Sequence, residues 1–204
     1  MSSIIKVDTI DEKTPTSGVV IDGVTLKDSK IGGTITIPGS TGTMALTSDI
    51  TSGLEAAQQF RLTTTASADT FPLTAYEVPD TSNQGNLGSL VSVSSGVFSF
   101  SETGFYEVDF TAYYYTPNSS GYASVFIQST LDDGSNWTTI ANNYHEGAGG
   151  YTGAYNSNKA IVDITDVSQQ KIRINYDFGS GSVQLRGSTS TNQSNVVFKK
   201  LGDT

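Results

Sequence analysis

The chain has 204 residues with 15% charged, 36% hydrophobic, no cysteine and a formal net charge of −9. That charge argues against nucleic acid and against anionic membrane surfaces, both of which call for clustered Lys and Arg. Without cysteine there is no disulfide framework and no thiolate metal site, and no apolar run approaches the length of a membrane-spanning helix. Met1–Lys6 lacks the apolar centre of a signal peptide. Polar positions are mostly Ser, Thr, Asn and Gly, and 10 Tyr and 9 Phe supply large apolar area. Such a chain favours strands and turns over helices. Its low apolar content fits a homo-oligomer that closes its core with partner chains.

Residues 1–47 show no helical period. Val19-Val20-Ile21 and Val24-Thr25-Leu26-Lys27 read as short strands around a turn at Asp22-Gly23, a dipeptide suited to positive φ. Ile31 to Ile37 alternates and stops at Pro38, and Gly39-Ser40-Thr41-Gly42 is a further turn. With so few large residues, this segment reads as a stalk packed across several chains; the competing reading is a flexible tail.

Ile5-Lys6-Val7-Asp8-Thr9-Ile10 and Gly18 to Asp28 resemble a phrase recurrent in structural and fibre proteins of marine bacteriophages and other aquatic viruses. Ile35 to Ala45 resembles a second phrase, from phage tail-fibre stalks just before a distal domain. The resemblance covers about the first quarter of the chain and implies a virion appendage.

Over 48–59 the spacing predicts one short helix. Ser52 and Glu55 stand at capping-box distance, and Leu54-Glu55-Ala56-Ala57-Gln58-Gln59 has good helix propensity. Ile50, Leu54 and Ala57 recur at roughly heptad spacing, as in a collar holding three chains in register; a plain linker helix fits equally well.

Residues 60–204 read as one all-β domain of short strands, a sandwich or jelly roll. The clearest stretch is Val97 to Phe110. Phe98 and Phe100 alternate with serines, a turn follows at Thr103-Gly104, and Tyr106, Val108 and Phe110 share one face opposite Glu107 and Asp109. It reads as a half-buried antiparallel pair with those aromatics in the core. Residues 142–158 read as a Gly- and Tyr-rich loop or a pair of distorted strands.

This domain resembles the C1q and tumour-necrosis-factor-like jelly roll at three places: the aromatic stretch with its Gly-aromatic-Tyr turn, Ile161 to Ile174, and Asn195 to Leu201 near the C-terminus. The resemblance implies a compact trimer, with chain ends at one pole and binding loops at the other or on the sides.

Enzyme chemistry finds little footing. His145 is the single histidine, and no serine stands in a Gly-x-Ser-x-Gly elbow. No spacing singles out a carboxylate pair for glycoside hydrolysis, so no enzymatic activity and no cofactor is expected. Asp132 and Asp133 offer oxygen ligands of the kind Ca²⁺ prefers, but Asp133-Gly134 also suits a hairpin turn, the favoured reading. For recognition, Tyr144, His145, Tyr151, Tyr155 and Asn156 lie where Tyr mixes with Gly, Ser and Asn, a composition of rigid aromatic area and adaptable hydrogen bonding. Tyr113, Tyr114, Tyr115 and Asn118 form a second cluster. Aromatic faces beside amides suit sugars; the same tyrosines would also suit subunit interfaces.

The expectation is a homotrimeric phage fibre or spike located on the virion, as a tail or capsid surface appendage. Residues 1–47 would attach it to other virion proteins, 48–59 would form the collar, and the 60–204 head would bind a host-surface glycan or protein. The alternative is a capsid or tail decoration protein with a purely structural role.

Overall fold

A computed structural model describes residues 19–21, 24–27, 30–32, 54, 56–80 and 83–204. The chain divides into two compact units, Met1–Ser52 and Gly53–Thr204. In the first, β1 (Val19–Ile21), β2 (Val24–Lys27) and β3 (Lys30–Gly32) form an antiparallel meander. Ile21 pairs with Val24, the antiparallel register expected of these two strands from sequence. The strand expected beyond Gly32, and Ile50 of the expected collar, lie outside the described residues.

The second unit is a two-layer β-sandwich. Its strands are β4 (Ala56–Leu62), β5 (Tyr76–Glu77), β6 (Val91–Ser94), β7 (Val97–Phe100), β8 (Gly104–Thr116) and β9 (Gly121–Thr130). They continue with β10 (Thr138–Gly147), β11 (Thr152–Ile164), β12 (Lys171–Ser180), β13 (Gln184–Leu185) and β14 (Asn195–Gly202). One sheet runs β10-β9-β12-β7-β6; the other runs β11-β8-β14-β4-β5, with β13 also on β8. Both sheets are antiparallel and the order crosses between them repeatedly, which is the jelly-roll arrangement.

Strict alternation builds the core. Tyr106, Val108, Phe110, Ala112 and Tyr114 of β8 point inward and are buried. They meet Ala123, Val125 and Ile127 of β9 and Ile172, Ile174 and Tyr176 of β12, all in the same core. Phe98 sits between Phe60 and Phe198, with ring centroids 5.4 and 4.9 Å away. Each such side chain contributes about 1.5–3 kcal/mol when removed from water.

Two expectations need correction. No helix forms among the described residues, and Ala56–Gln59 belongs to β4. Ala57 is a strand residue paired with Lys199 and bridged to Leu87, while Leu54 is half exposed outside any helix. The cause is Gln58, 95% of whose surface is covered: its side-chain amide donates to Val91 O at 3.0 Å and accepts from Val91 N–H at 2.6 Å. That side chain bonds to β6 as a backbone unit would and ties one sheet to the other. β4 thus belongs with the compact unit Gly53–Thr204. Second, β7 and β8 do not pair. Each turns its apolar face inward from a different sheet, and Phe100 meets Tyr106 across the core with centroids 4.7 Å apart. The faces assigned to Tyr106, Val108 and Phe110 are those observed.

Register fixes two poles. Ala56 pairs with Lys200 and Phe105 with Gly202 at the pole holding the ends of the domain. Thr116 pairs with Thr152 and Gly121 with Gly147 at the opposite pole.

Candidate functional site

The pole away from the domain ends is made of three turns tied to one another. Gly150 N–H donates to Asn118 O at 3.1 Å and Tyr151 N–H to Pro117 O at 3.2 Å. Asn118 N–H donates to Ser182 Oγ at 3.1 Å, and that hydroxyl donates to Ser119 O at 2.9 Å. Gly149 permits the close approach: its φ is 80°, and a Cβ there would lie 2.4 Å from Asn118 O.

Residues 142–158 are largely strand. β10 and β11 are adjacent edges of the two sheets, joined by the 148–151 turn. Near this pole Asn143, His145, Asn156 and Asn158 face inward, and amides close this side of the sandwich. Asn156 Nδ2 donates to Tyr144 O at 3.2 Å, and Asn158 Nδ2 donates to Val125 O at 2.8 Å. Asn143 Oδ1 accepts a short hydrogen bond from the Tyr114 hydroxyl. Burial raises the Tyr114 phenol above its ordinary pKa, holding it as the neutral donor.

The predicted residues converge on this pole but occupy different surfaces. His145 points between the sheets, its ring stacked on Tyr114 at 4.8 Å and 10°. Its Nε2 is buried with no hydrogen-bond partner among the described residues, and desolvation lowers its pKa from 6.5. That placement makes His145 a packing residue. Asn156 is a cross-sheet tie. Tyr151, 74% exposed with φ 65°, tips the turn and leans toward Tyr115 at 6.4 Å. Tyr155 stacks on Tyr113 at 4.4 Å and 14° on the outer face of the six-stranded sheet, and the Arg186 guanidinium lies 5.3 Å over Tyr115 nearby.

Tyr144 lies on the other outer face, 5.7 Å from Tyr122. Desolvation, then Glu146 and Tyr122, raises its phenol pKa. Tyr122, on β9, is not among the residues singled out from sequence. The signal was present: alternation from Ala123, Val125 and Ile127 puts Tyr122, Ser124 and Phe126 outside.

Asp132 and Asp133 lie at the opposite pole, in the turn between β9 and β10. The Thr130 hydroxyl donates to Asp132 at 2.7 Å, and Asn136 donates to it from N–H at 2.8 Å and from Nδ2 at 2.6 Å. These bonds, Thr130 first, lower the Asp132 pKa to about 2. Asp133 has φ 54° and pairs with Lys171. Asp132 thus ties the turn together, while Asp133 fastens it to β12.

No family model matches this chain, and no curated protein does. Solved structures do. Murine APRIL crystallised at pH 8.5 superposes with a TM-score of 0.51 at 10% identity, over 72% of this chain and 98% of that one. The Eiger TNF of S. frugiperda gives a TM-score of 0.52 at 16% identity, over 74% of this chain and 96% of that one. The fold is the tumour-necrosis-factor jelly roll. At these identities the likeness concerns the TNF-like fold alone.

Proposed function

We propose that this chain is the subunit of a homotrimeric fibre or spike on a phage virion, with the TNF-like head binding the host surface. The observation carrying the reading is polarity: a TNF-like head has its domain ends at one pole and its tyrosine-rich turns at the other. A subunit anchored through residues 1–47 would present those turns outward. The phage-stalk phrases of the first quarter supply the virion assignment.

The outer face of the six-stranded sheet suits a subunit interface. Phe105, Ile161 and Leu201 are 40%, 68% and 50% exposed on it, and Tyr113 and Tyr155 lie stacked toward its far end. Charges there are paired: Lys199 with Glu107 at 2.6 Å and Lys159 with Asp109 at 2.7 Å. A trimer would engage a host surface through several weak sites at once, gaining avidity without tight single contacts.

Native mass spectrometry of the purified chain, immunogold labelling of intact particles and binding to host cells test this reading. A trimer that labels particles and binds cells is expected. A stable monomer overturns it, and a particle-bound trimer that ignores cells transfers the chain to the decoration class.

A further inference from the structure

Resting on the host-surface reading above, we infer that Tyr122 and Tyr144 form a stacking platform for an uncharged pyranose of a glycan. The two rings are 43% and 52% exposed, with centroids 5.7 Å apart and planes 30° from each other. They lie side by side on the outer face of the five-stranded sheet, close to the tyrosine-rich pole. The other exposed pair, Tyr113 and Tyr155, stacks at 4.4 Å and 14°, so each ring spends one face on its neighbour.

Tyr122 has a built seat. It packs against Gly179 so closely that a Cβ at that position would stand 1.8 Å from the ring. A bare backbone beneath the phenol holds it flat against the sheet instead of letting it stand into solvent. The register then surrounds the rings with hydrogen-bonding groups. Glu146 is opposite Tyr122, while Ser124 is flanked by Tyr144 on one side and Asp177 on the other. Alternation puts all of these on the outer face.

The chemistry of that frame selects the ligand. A pyranose offers a flat C–H face to an aromatic ring and hydroxyls at its rim, and carboxylates are strong acceptors for adjacent hydroxyls. Two carboxylates repel sialate, uronate and phosphate groups. Arg173, the guanidinium of this face, is at the far end of the sheet, 4.3 Å over Trp137 and donating to Gln128 at 2.8 Å. Nothing cationic among the described residues borders the platform to receive an acidic sugar.

Saturation-transfer NMR on the full chain tests the inference, with methyl glycosides of glucose, galactose, mannose and N-acetylglucosamine, and N-acetylneuraminic acid as the acidic counterpart. Saturation should reach the ring C–H groups of at least one neutral glycoside. Tyr144→Ala should weaken binding about tenfold, the worth of one aromatic contact, while Tyr144→Trp should retain it. Gly179→Ala should also weaken it by lifting Tyr122. No transfer to any neutral glycoside at millimolar concentration, unchanged binding in Tyr144→Ala, or preference for the acidic sugar overturns the inference. Host-cell binding separates it from the parent reading: equal cell binding by the wild type and Tyr144→Ala sinks the platform alone. Glycoside binding with no cell binding sinks the host-surface reading alone.

Discussion

Two polar residues turned toward the interior, Arg61 buried and His145 half-buried, show what single side chains do here. The Arg61 side chain is fully covered; its Nε donates to Glu77 at 2.8 Å, and its Nη2 donates to Glu77 at 2.6 Å, Asp80 at 3.0 Å and Thr189 O at 2.5 Å. It fastens the segment after β5 and the loop before β14 onto β4. Arg61→Met keeps much of the apolar stem but leaves those acceptors unanswered. Glu77 and Asp80 retain some water, so the loss should be about 1–3 kcal/mol, read as a lower urea midpoint. His145 gives a pH dependence. Its folded pKa lies below the unfolded value because burial disfavours the imidazolium. The unfolded chain therefore takes up the proton first, and this group's contribution to stability, complete above about pH 6.5, declines as pH falls from there toward the folded pKa. Denaturant titrations between pH 7.5 and 5 should show that slope, and His145→Phe should flatten it.

At the scale of the element, β8 is the strand the whole head leans on, and its inward face was plain in the sequence. Phe110→Asp puts an unpaired carboxylate where the ring was fully buried and should cost more than about 4 kcal/mol, leaving no cooperative melt by circular dichroism. Survival of a soluble, cooperatively melting variant would refute the facing of β8. Other strands were less legible for physical reasons. β10 and β11 carry Asn143, His145, Asn156 and Asn158 inward, so hydrophobic alternation is lost although the strands are regular. Their order comes from amide bonds to distant carbonyls, which no local pattern announces. β4 misled in the opposite way: Leu54 to Gln59 has real helix propensity, overridden by pairing with β14 and by the Gln58 contact to Val91. The pairing of β7 with β8 looked natural because adjacent strands usually pair, yet an apolar face on each also suits opposite walls of one core. The tyrosine pole was visible as composition; its division into a turn tip, two outer faces and an interior was not, because that depends on register.

For the whole molecule, the position of β4 sets the minimal folding unit. A fragment spanning Gly53–Thr204 should melt cooperatively with the circular dichroism of a β-sandwich. One beginning at Phe60 loses the pairing of Ala56 to Gln59 with β14 and the Gln58 tie to β6, and should be insoluble or molten. A comparison of the two fragments by thermal melting decides the boundary. The adjacency of Ala56 and Lys200 in one ladder has a topological consequence as well. The two ends of the head stand about one strand spacing apart, so a short loop can join them and new ends can be opened in the Asp133-Gly134 turn. A head of that kind is circularly permutable. For the same reason it can be spliced into a surface loop of an unrelated protein without stretching its host, and natural recombination could move it between carriers as a self-contained insert.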